Sequence, residues 1–373
     1  MNIEIKIIYM LHELLAIKDE IYHLLDQYKP QQYFFEIDWL KHWTDFFCLD
    51  CKLFILLAYE GSELVGFLPL FIHTQRLHGL NLKLVEIIGT KQSAWGNILA
   101  TRQKLNVFEA FAKILIENNN QWDLVSLQRI RSQEDKDIFC KILRDRNILC
   151  TDNYMGSIYG LNGYESFEQY IKSRKASLIK NYKRYKRNLE KTGKFEFITS
   201  EQLTKEEVRE YMATIARNSW QGVNNQSILS PNNITKNLSS FHKALLTSDH
   251  YRLNTLCFFI KLDNIPISYR YGLVLNKKFT SYSIEYDINY KKYGPGIVLH
   301  YMTVEYLINH DIKDVDFGIG DGQHKDEWTD WDDDLYTIYM YKYSFKSLTY
   351  YLLRKVWYLK KKFIALKSSL KNN

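Results

Sequence analysis

The stretch Tyr286-Asp-Ile-Asn-Tyr-Lys-Lys-Tyr-Gly-Pro-Gly-Ile-Val-Leu-His300 restricts what this chain can fold into more than any other segment. It follows an aromatic, β-branched run that reads as a strand, and it leads into a helical pattern ending near His310. A strand that opens through Gly294-Pro295-Gly296 into a helix leaves the first backbone N–H groups of that helix without intrahelical acceptors. With the positive end of the helix dipole, those donors suit a phosphate or pyrophosphate. The same glycines also suit a plain tight turn, so the rest of the chain has to decide.

The pattern around this stretch occurs twice. In the first half, residues 52–59 read as a continuous apolar strand, Glu60-Gly61-Ser62-Glu63 as a turn and Leu64–Ile72 as the returning strand. Leu82–Ile88 is a further strand, 104–118 a helix, Asp123–Leu127 a short strand and 134–147 another helix. In the second half, Leu256–Leu262 and Ile267–Leu275 flank the turn Asp263-Asn264-Ile265. Phe279–Tyr286, a helix over 297–309 and the short strand Val315–Phe317 follow in the same order. Residues 10–26, Phe35–Phe47, 165–190 and 204–218 show helical spacing, with Lys172–Lys194 read as one long helix. The order predicts a mixed α/β (α+β) fold made by internal duplication of one unit, each a twisted mixed sheet flanked by helices. The expected domains are 1–160, 161–340 and a basic amphipathic C-terminal helix over 341–373.

A chain of 373 residues with 46% hydrophobic content is long and apolar enough for two cores. Only five prolines and 16 glycines argue against a disordered or fibrous chain. There is no run of 18 apolar residues, so no membrane-spanning helix is expected. The N-terminus reads as a first strand and lacks the form of a secretory signal, which predicts cytoplasmic residence. Cys48 and Cys51 have CxxC spacing without a second pair, which points to a structural thiol pair rather than zinc. Charge is concentrated in two places. Residues 341–373 hold nine Lys or Arg and no acidic residue against a whole-chain net of +7, so the preceding 340 residues sum to −2. Lys172–Lys194 carries ten positive residues and one Glu.

Three stretches between about Phe35 and Tyr339 resemble the double-domain acetyltransferases of the GNAT superfamily, in the CelD/BioF2-like branch related to the FemAB aminoacyltransferases. They are Leu64-Val-Gly-Phe-Leu-Pro-Leu70 with Gly89 and Trp95-Gly96-Asn97, the basic segment Ser173–Glu190, and Tyr286–Gly296 with Asp316–Trp328 downstream. Asp316, Phe317, Gly320, Asp321, Lys325 and Trp328 match the family's downstream pattern, whereas His324 stands where Tyr is usual and Gln323 where Pro is common. The resemblance implies tandem GNAT-like domains and acetyl-CoA or another acyl-CoA as cofactor. It would be held by Tyr293, Gly294, Pro295, Gly296, Ile297 and Val298. Thr101-Arg-Gln-Lys104 lacks the Gly-Pro-Gly form, so the first domain is expected to be without cofactor.

Acyl transfer from a thioester needs a cofactor site, a route for the acceptor's proton and stabilisation of developing charge. Glu285 and Asp287 lie two apart on a strand and face the same side, as a catalytic pair or as a solvated edge. His324 suits a general base best by residue type, since an ordinary imidazole titrates near neutral pH, and it suits a surface histidine in a polar loop as well. Lys325 suits an anionic group or a neighbouring Asp, and Asp316 suits either the chemistry or an anchor for the loop after its strand. Trp220, Asp321 and Trp328 are candidates for the acceptor side. The acidic stretch Asp326–Asp334 lacks the spacing of a calcium loop. No GxSxG elbow is present, which favours direct transfer over a covalent intermediate.

The leading expectation is therefore an acyl-CoA-dependent N- or O-acyltransferase, an acetyltransferase first. Its acceptor would be an amine or hydroxyl of a sugar, glycolipid or envelope-polysaccharide precursor. A FemAB-like transferase using aminoacyl-tRNA on the basic helix is the second reading, and a non-catalytic binding protein of the same fold the third. Residues 350–367 mix bulky apolar residues with Lys and Arg at helical spacing. Such a helix lies peripherally on the inner face of a membrane or packs back on the protein. The oligomeric state stays open.

Overall fold

The computed structural model describes residues 3–29, 32–161, 163–230, 232, 235, 237–320 and 325–369, with side chains to residue 360. In chain order the elements are β1 (Ile3–Ile8), α1 (Leu11–Ala16), α2 (Lys18–Gln27), α3 (Ile37–Phe47), β2 (Lys52–Leu53), β3 (Ile55–Glu60), β4 (Glu63–Leu68), β5 (Leu70–Leu77) and β6 (Leu80–Ile87). Next come β7 (Leu99–Ala100), α4 (Lys104–Glu117), β8 (Leu124–Ile130), α5 (Gln133–Asp145), β9 (Cys150–Leu161), α6 (Phe167–Ser173), α7 (Ala176–Glu190) and β10 (Phe195–Thr199). The remainder is α8 (Lys205–Asn218), α9 (Trp220–Val223), α10 (Leu238–Thr247), β11 (Asn254–Leu262), β12 (Ile265–Leu275), β13 (Lys278–Tyr286), α11 (Pro295–Asn309), β14 (Asp314–Ile319), β15 (Trp331–Tyr341) and α12 (Phe345–Ser369).

Two compact units result. One holds Met1–Tyr28, Asp50–Met155 and Asp334–Asn373, the other Lys29–Leu49 and Gly156–Asp333. This division is interleaved, unlike the contiguous 1–160, 161–340 and 341–373. Residues 29–49 go with the second unit because Trp39, Phe46 and Phe47 of α3 pack edge-on against Phe241 of α10. Residues 341–373 go with the first because Tyr350 of α12 is buried with Leu82, Leu84 and Leu124. Cys48 and Cys51 are disulfide-bonded.

In the first unit, β1, β3, β4 and β7 form an antiparallel sheet. A second set runs β15-β8-β6-β5-β2, with β6 and β8 parallel and α4 crossing between them. Proline cannot donate to a ladder, and Pro69 divides the expected returning strand into β4 and β5. Phe108 and Phe111 of α4 pack with Val65, Val85 and Val125 in the core.

The second unit orders its strands β10-β11-β12-β13-β14-β9. Only β13 and β14 are parallel, and α11 crosses between them. Val298, Leu299, Val304 and Leu307 of α11 pack on Phe258, Ile260 and Phe279. Each unit thus runs hairpin, further strand, crossing helix and parallel strand, the mixed α/β order read from the sequence. The long helix expected over 172–194 is two helices, α6 and α7. Arg174 is extended (φ −92°, ψ 154°), and its guanidinium donates to Thr329 O (2.8 Å), to Tyr164 Oη (2.8 Å) and to Asp330. Those three acceptors hold Arg174 out of the helical ladder.

Candidate active site

Asp287 ends β13 and accepts the Asn289 N–H at 2.9 Å, starting the 3-10 turn Ile288–Tyr293. The turn stops at Gly294, whose φ of +60° is the left-handed region that glycine tolerates best. A Cβ at Gly294 would sit 2.8 Å from the Tyr185 ring of α7, so this position needs glycine for conformation and for space. Pro295 follows in the first turn of α11, where its missing N–H costs no hydrogen bond. A Cβ at Gly296, in contrast, would meet only the Tyr286 ring, at 3.6 Å. The first turn of a 15-residue helix is therefore open beside Gly296, and the exposed Lys291 and Lys292 precede it. Helix α7 lies against α11, with Tyr182 stacked on Tyr301 at 3.5 Å and 8°. Cationic residues of α7 are brought close by this packing, since the Arg184 guanidinium lies 4.8 Å from the Tyr185 ring that covers Gly294.

Strands β13 and β14 pair over only three positions, from Lys278↔Asp314 to Thr280↔Asp316. Beyond Thr280, β13 continues to Tyr286 without β14 as its partner among the described residues. The first turn of α11 and the part of β13 beyond its pairing with β14 therefore belong to one crossover.

Arg270 and His300 face this crossover, and the sequence reading passed over both. Arg270 on β12 is 4% exposed. Its guanidinium donates to Ser281 Oγ and to His300 Nδ1, both at 3.0 Å, and lies against the Phe317 ring. An arginine only donates, so His300 Nδ1 accepts and its proton resides on Nε2. Burial and then the Arg270 cation hold His300 well below the ordinary histidine pKa. Burial also brings Arg270 down to about 10. Neither His300 Nε2 nor Arg270 Nε finds a hydrogen-bond partner among the described residues. The available signal was a lone charge inside the apolar strand Ile267-Ser-Tyr-Arg-Tyr-Gly-Leu273.

The carboxylates proposed from sequence are engaged by the protein. Glu285, 1% exposed, accepts from Ser219 Oγ (2.6 Å), Ser227 Oγ (2.8 Å) and Tyr269 Oη (2.7 Å). Through Ser219, which caps α9 by accepting the Gly222 N–H, it fixes the segment that carries Trp220. Asp287 also accepts from Asn218 Nδ2 at 3.1 Å. Asp316 is fully buried and accepts the Gly318 N–H at 2.7 Å, which ties it to the end of its own strand. Lys325 Nζ donates to the carbonyls of Phe317, Gly318 and Ile319 at 2.8, 2.8 and 2.9 Å. Burial, then Arg270, lowers its pKa to about 8, while three carbonyl acceptors favour the charged form. Its ammonium clamps the end of β14 and has no donor left for an acceptor group.

Trp328 is 6% exposed, packed near His300 and Tyr301. Trp220 is 48% exposed. His324 and Asp321 lie outside the described residues. Asp330 and Glu327 of the acidic stretch pair with Arg174 and Lys175, and among the described residues no group of three or more His, Cys, Asp or Glu could hold a metal ion. The outer face of α6 and α7 forms an open groove of 950 Å³ lined by Lys172, Arg174, Lys180, Lys183, Arg184 and Arg187.

Residues 176–326, from the start of α7 to the loop after β14, match the acetyltransferase (GNAT) domain family. No curated protein matches the chain in sequence. Among solved structures the chain resembles FemX, with a TM-score of 0.60 and 10% identity over 94% of this chain and 99% of that one. It also resembles the C-terminal domain of a putative lysylphosphatidylglycerol synthetase from Agrobacterium fabrum (TM-score 0.55, 8% identity, 90% and 94% covered). A tandem GNAT protein from the clavulanic acid biosynthesis pathway gives a TM-score of 0.53 at 9% identity, with 92% and 100% covered. At such identities the likeness is one of fold. Residues 176–326 thus match the GNAT acetyltransferase domain family, and the fold of the chain is that of tandem GNAT-like domains.

Proposed function

We propose that the second unit binds an acyl-CoA, acetyl-CoA first, and transfers its acyl group to an amine or hydroxyl of a sugar, glycolipid or envelope-polysaccharide precursor. The observation that carries this reading is the crossover itself: the first turn of α11 at Gly296, open among the described residues, beside the part of β13 beyond its pairing with β14. Tyr293, Gly294, Pro295, Gly296, Ile297 and Val298 would hold the coenzyme's pyrophosphate, with Lys291 and Lys292 nearby. When bound, the coenzyme supplies an acyl group activated as a thioester. The backbone N–H groups of β13 beyond Thr280 orient that group, and the Nε2–H of His300 is a spare donor close by. With Nδ1 occupied by Arg270, His300 acts as a donor and does not take a proton. Proton removal from the acceptor falls to His324. The acceptor class and the CelD/BioF2-like branch rest on the sequence resemblance, and Trp220 offers an exposed ring for a sugar face.

The test is release of free coenzyme A thiol from acetyl-CoA as amine- and hydroxyl-bearing sugars are added. Acceptor-dependent release is expected, at least tenfold slower with His324→Ala. No release with any acyl-CoA or acceptor would contradict the reading. The six-cation groove on α6 and α7 favours a second reading, transfer from an aminoacyl-tRNA. Salt-sensitive co-purification of RNA, lost on replacing Lys183 and Arg187, would support that one instead.

A further inference from the structure

We propose that α12 is a docking helix that lies in the surface of an anionic lipid bilayer. The helix is amphipathic in an inverted sense. Its inner side is polar or mixed: Ser347 is 1% exposed and donates to Asp123 O at 2.8 Å, and Arg354 lies 3.5 Å over the Tyr339 ring. Lys346 reaches Asp123 Oδ2 at 3.0 Å, and Tyr350 enters the core. These contacts define the face that packs on the first unit. The opposite face is apolar. Phe345, Leu352, Val356 and Leu359 are 90%, 60%, 50% and 64% exposed.

Their spacing of seven, four and three residues places all four on one stripe at about 100° per residue. The stripe is about 21 Å long at the usual helical rise. An apolar stripe of this length directed at water, interrupted only by Thr349 among its described residues, marks an interaction surface.

Charge identifies the occupant. Residues 341–373 contain nine Lys or Arg and no acidic residue. By helical geometry Lys355 and Lys360 flank the stripe on its two sides. A second copy of the helix laid along the stripe would set lysine against lysine at the flanking positions, where paired helices use opposite charges. A nucleic acid would use the cations but has nothing to place on leucine and valine. An anionic bilayer satisfies both sets, taking the aliphatic side chains among the acyl chains and the lysines at the headgroups. No described helix is long and apolar enough to cross a membrane, so α12 would lie in the plane of the surface.

The experiment is flotation of the full chain with vesicles of phosphatidylcholine alone and of equimolar phosphatidylcholine and phosphatidylglycerol. Partition is expected into the anionic vesicles, at least tenfold weaker into neutral ones and reduced by high salt. Replacing Leu352, Val356 and Leu359 together by serine should abolish it without lowering the melting temperature, because all three are exposed. Lys355→Glu with Lys360→Glu should weaken it more than tenfold, at about fivefold per charge lost near the surface. Equal partition of the folded triple-serine variant, or none by the natural chain, would overturn the proposal. So would a dimer in solution that the triple-serine change dissociates.

Discussion

Replacing Glu285 by alanine is expected to lower the unfolding free energy of the chain by about 4 kcal/mol. The size follows from what the side chain does in the fold. Three hydroxyls, from Ser219, Ser227 and Tyr269, converge on one carboxylate that is 1% exposed. A hydrogen bond to a charged group is worth about 1.5–3 kcal/mol, and the three are not additive because they share one acceptor. Alanine removes the charged acceptor that the Ser227 and Tyr269 hydroxyls use and leaves Ser219 with Ala216 O at 3.0 Å, loosening the cap on α9. Glutamine keeps the shape and one acceptor oxygen, so Glu285→Gln should cost about half as much. Urea denaturation measures both. If Glu285 were instead a catalytic base in an otherwise rigid site, Glu285→Gln would abolish transfer and leave the denaturation midpoint unchanged. The expected result is the reverse order of effects: a lower midpoint first, with acyl-CoA binding retained by the folded fraction.

The second large effect is expected in acid. His242 on α10 is 0% exposed, among the rings of Phe241, Tyr271 and Tyr282. Both of its ring nitrogens lack a hydrogen-bond partner among the described residues. Burial alone pushes its pKa from 6.5 down to about 3. Below 6.5 the unfolded chain takes up a proton that the folded chain refuses, so stability is lost as pH falls from 6.5 towards 3 and is fully present above 6.5. At about pH 5 this single group costs about 2 kcal/mol. His242→Phe fills a similar volume with no polar atom, so it should leave the melting temperature at neutral pH level or higher and flatten the acid limb. An unchanged acid limb in the variant would mean that His242 is solvated or paired. His42 and His300 shift in the same direction, so part of the acid limb survives the substitution.

What the sequence conveyed and what it hid divide along one physical line. Local signals were legible. Gly-Pro-Gly marks the start of α11 because a left-handed residue beside a proline has few other uses, and the alternation of apolar runs with turns located β11, β12 and β13. The hidden parts depend on partners far apart in the chain. Glu285 reads as a catalytic carboxylate or a solvated strand edge because Ser219, which donates to it, lies 66 positions away. Lys325 reads as a partner for an anionic group or a neighbouring Asp, because the sequence does not show that the backbone carbonyls at the end of β14, six to eight positions earlier, turn towards its ammonium. Arg270 and His300, 30 positions apart, gain their meaning only when β12 and α11 meet. Strand β15 begins Trp331-Asp-Asp-Asp, and this acidic start hid the buried stretch with Leu335, Thr337, Ile338, Met340 and Tyr341.

The most direct test is titration calorimetry of the natural chain and of Gly296→Trp with acetyl-CoA. A Cβ at Gly296 meets only Tyr286 among the described residues, at an ordinary contact distance, so the substitution is expected to leave the fold intact while filling the first turn of α11. Micromolar binding to the natural chain, about 8 kcal/mol, weakened at least a hundredfold in a folded Gly296→Trp variant, is the predicted result. Equal binding by that variant would move the coenzyme away from α11, and no binding of any acyl-CoA to the natural chain would contradict the proposed transferase.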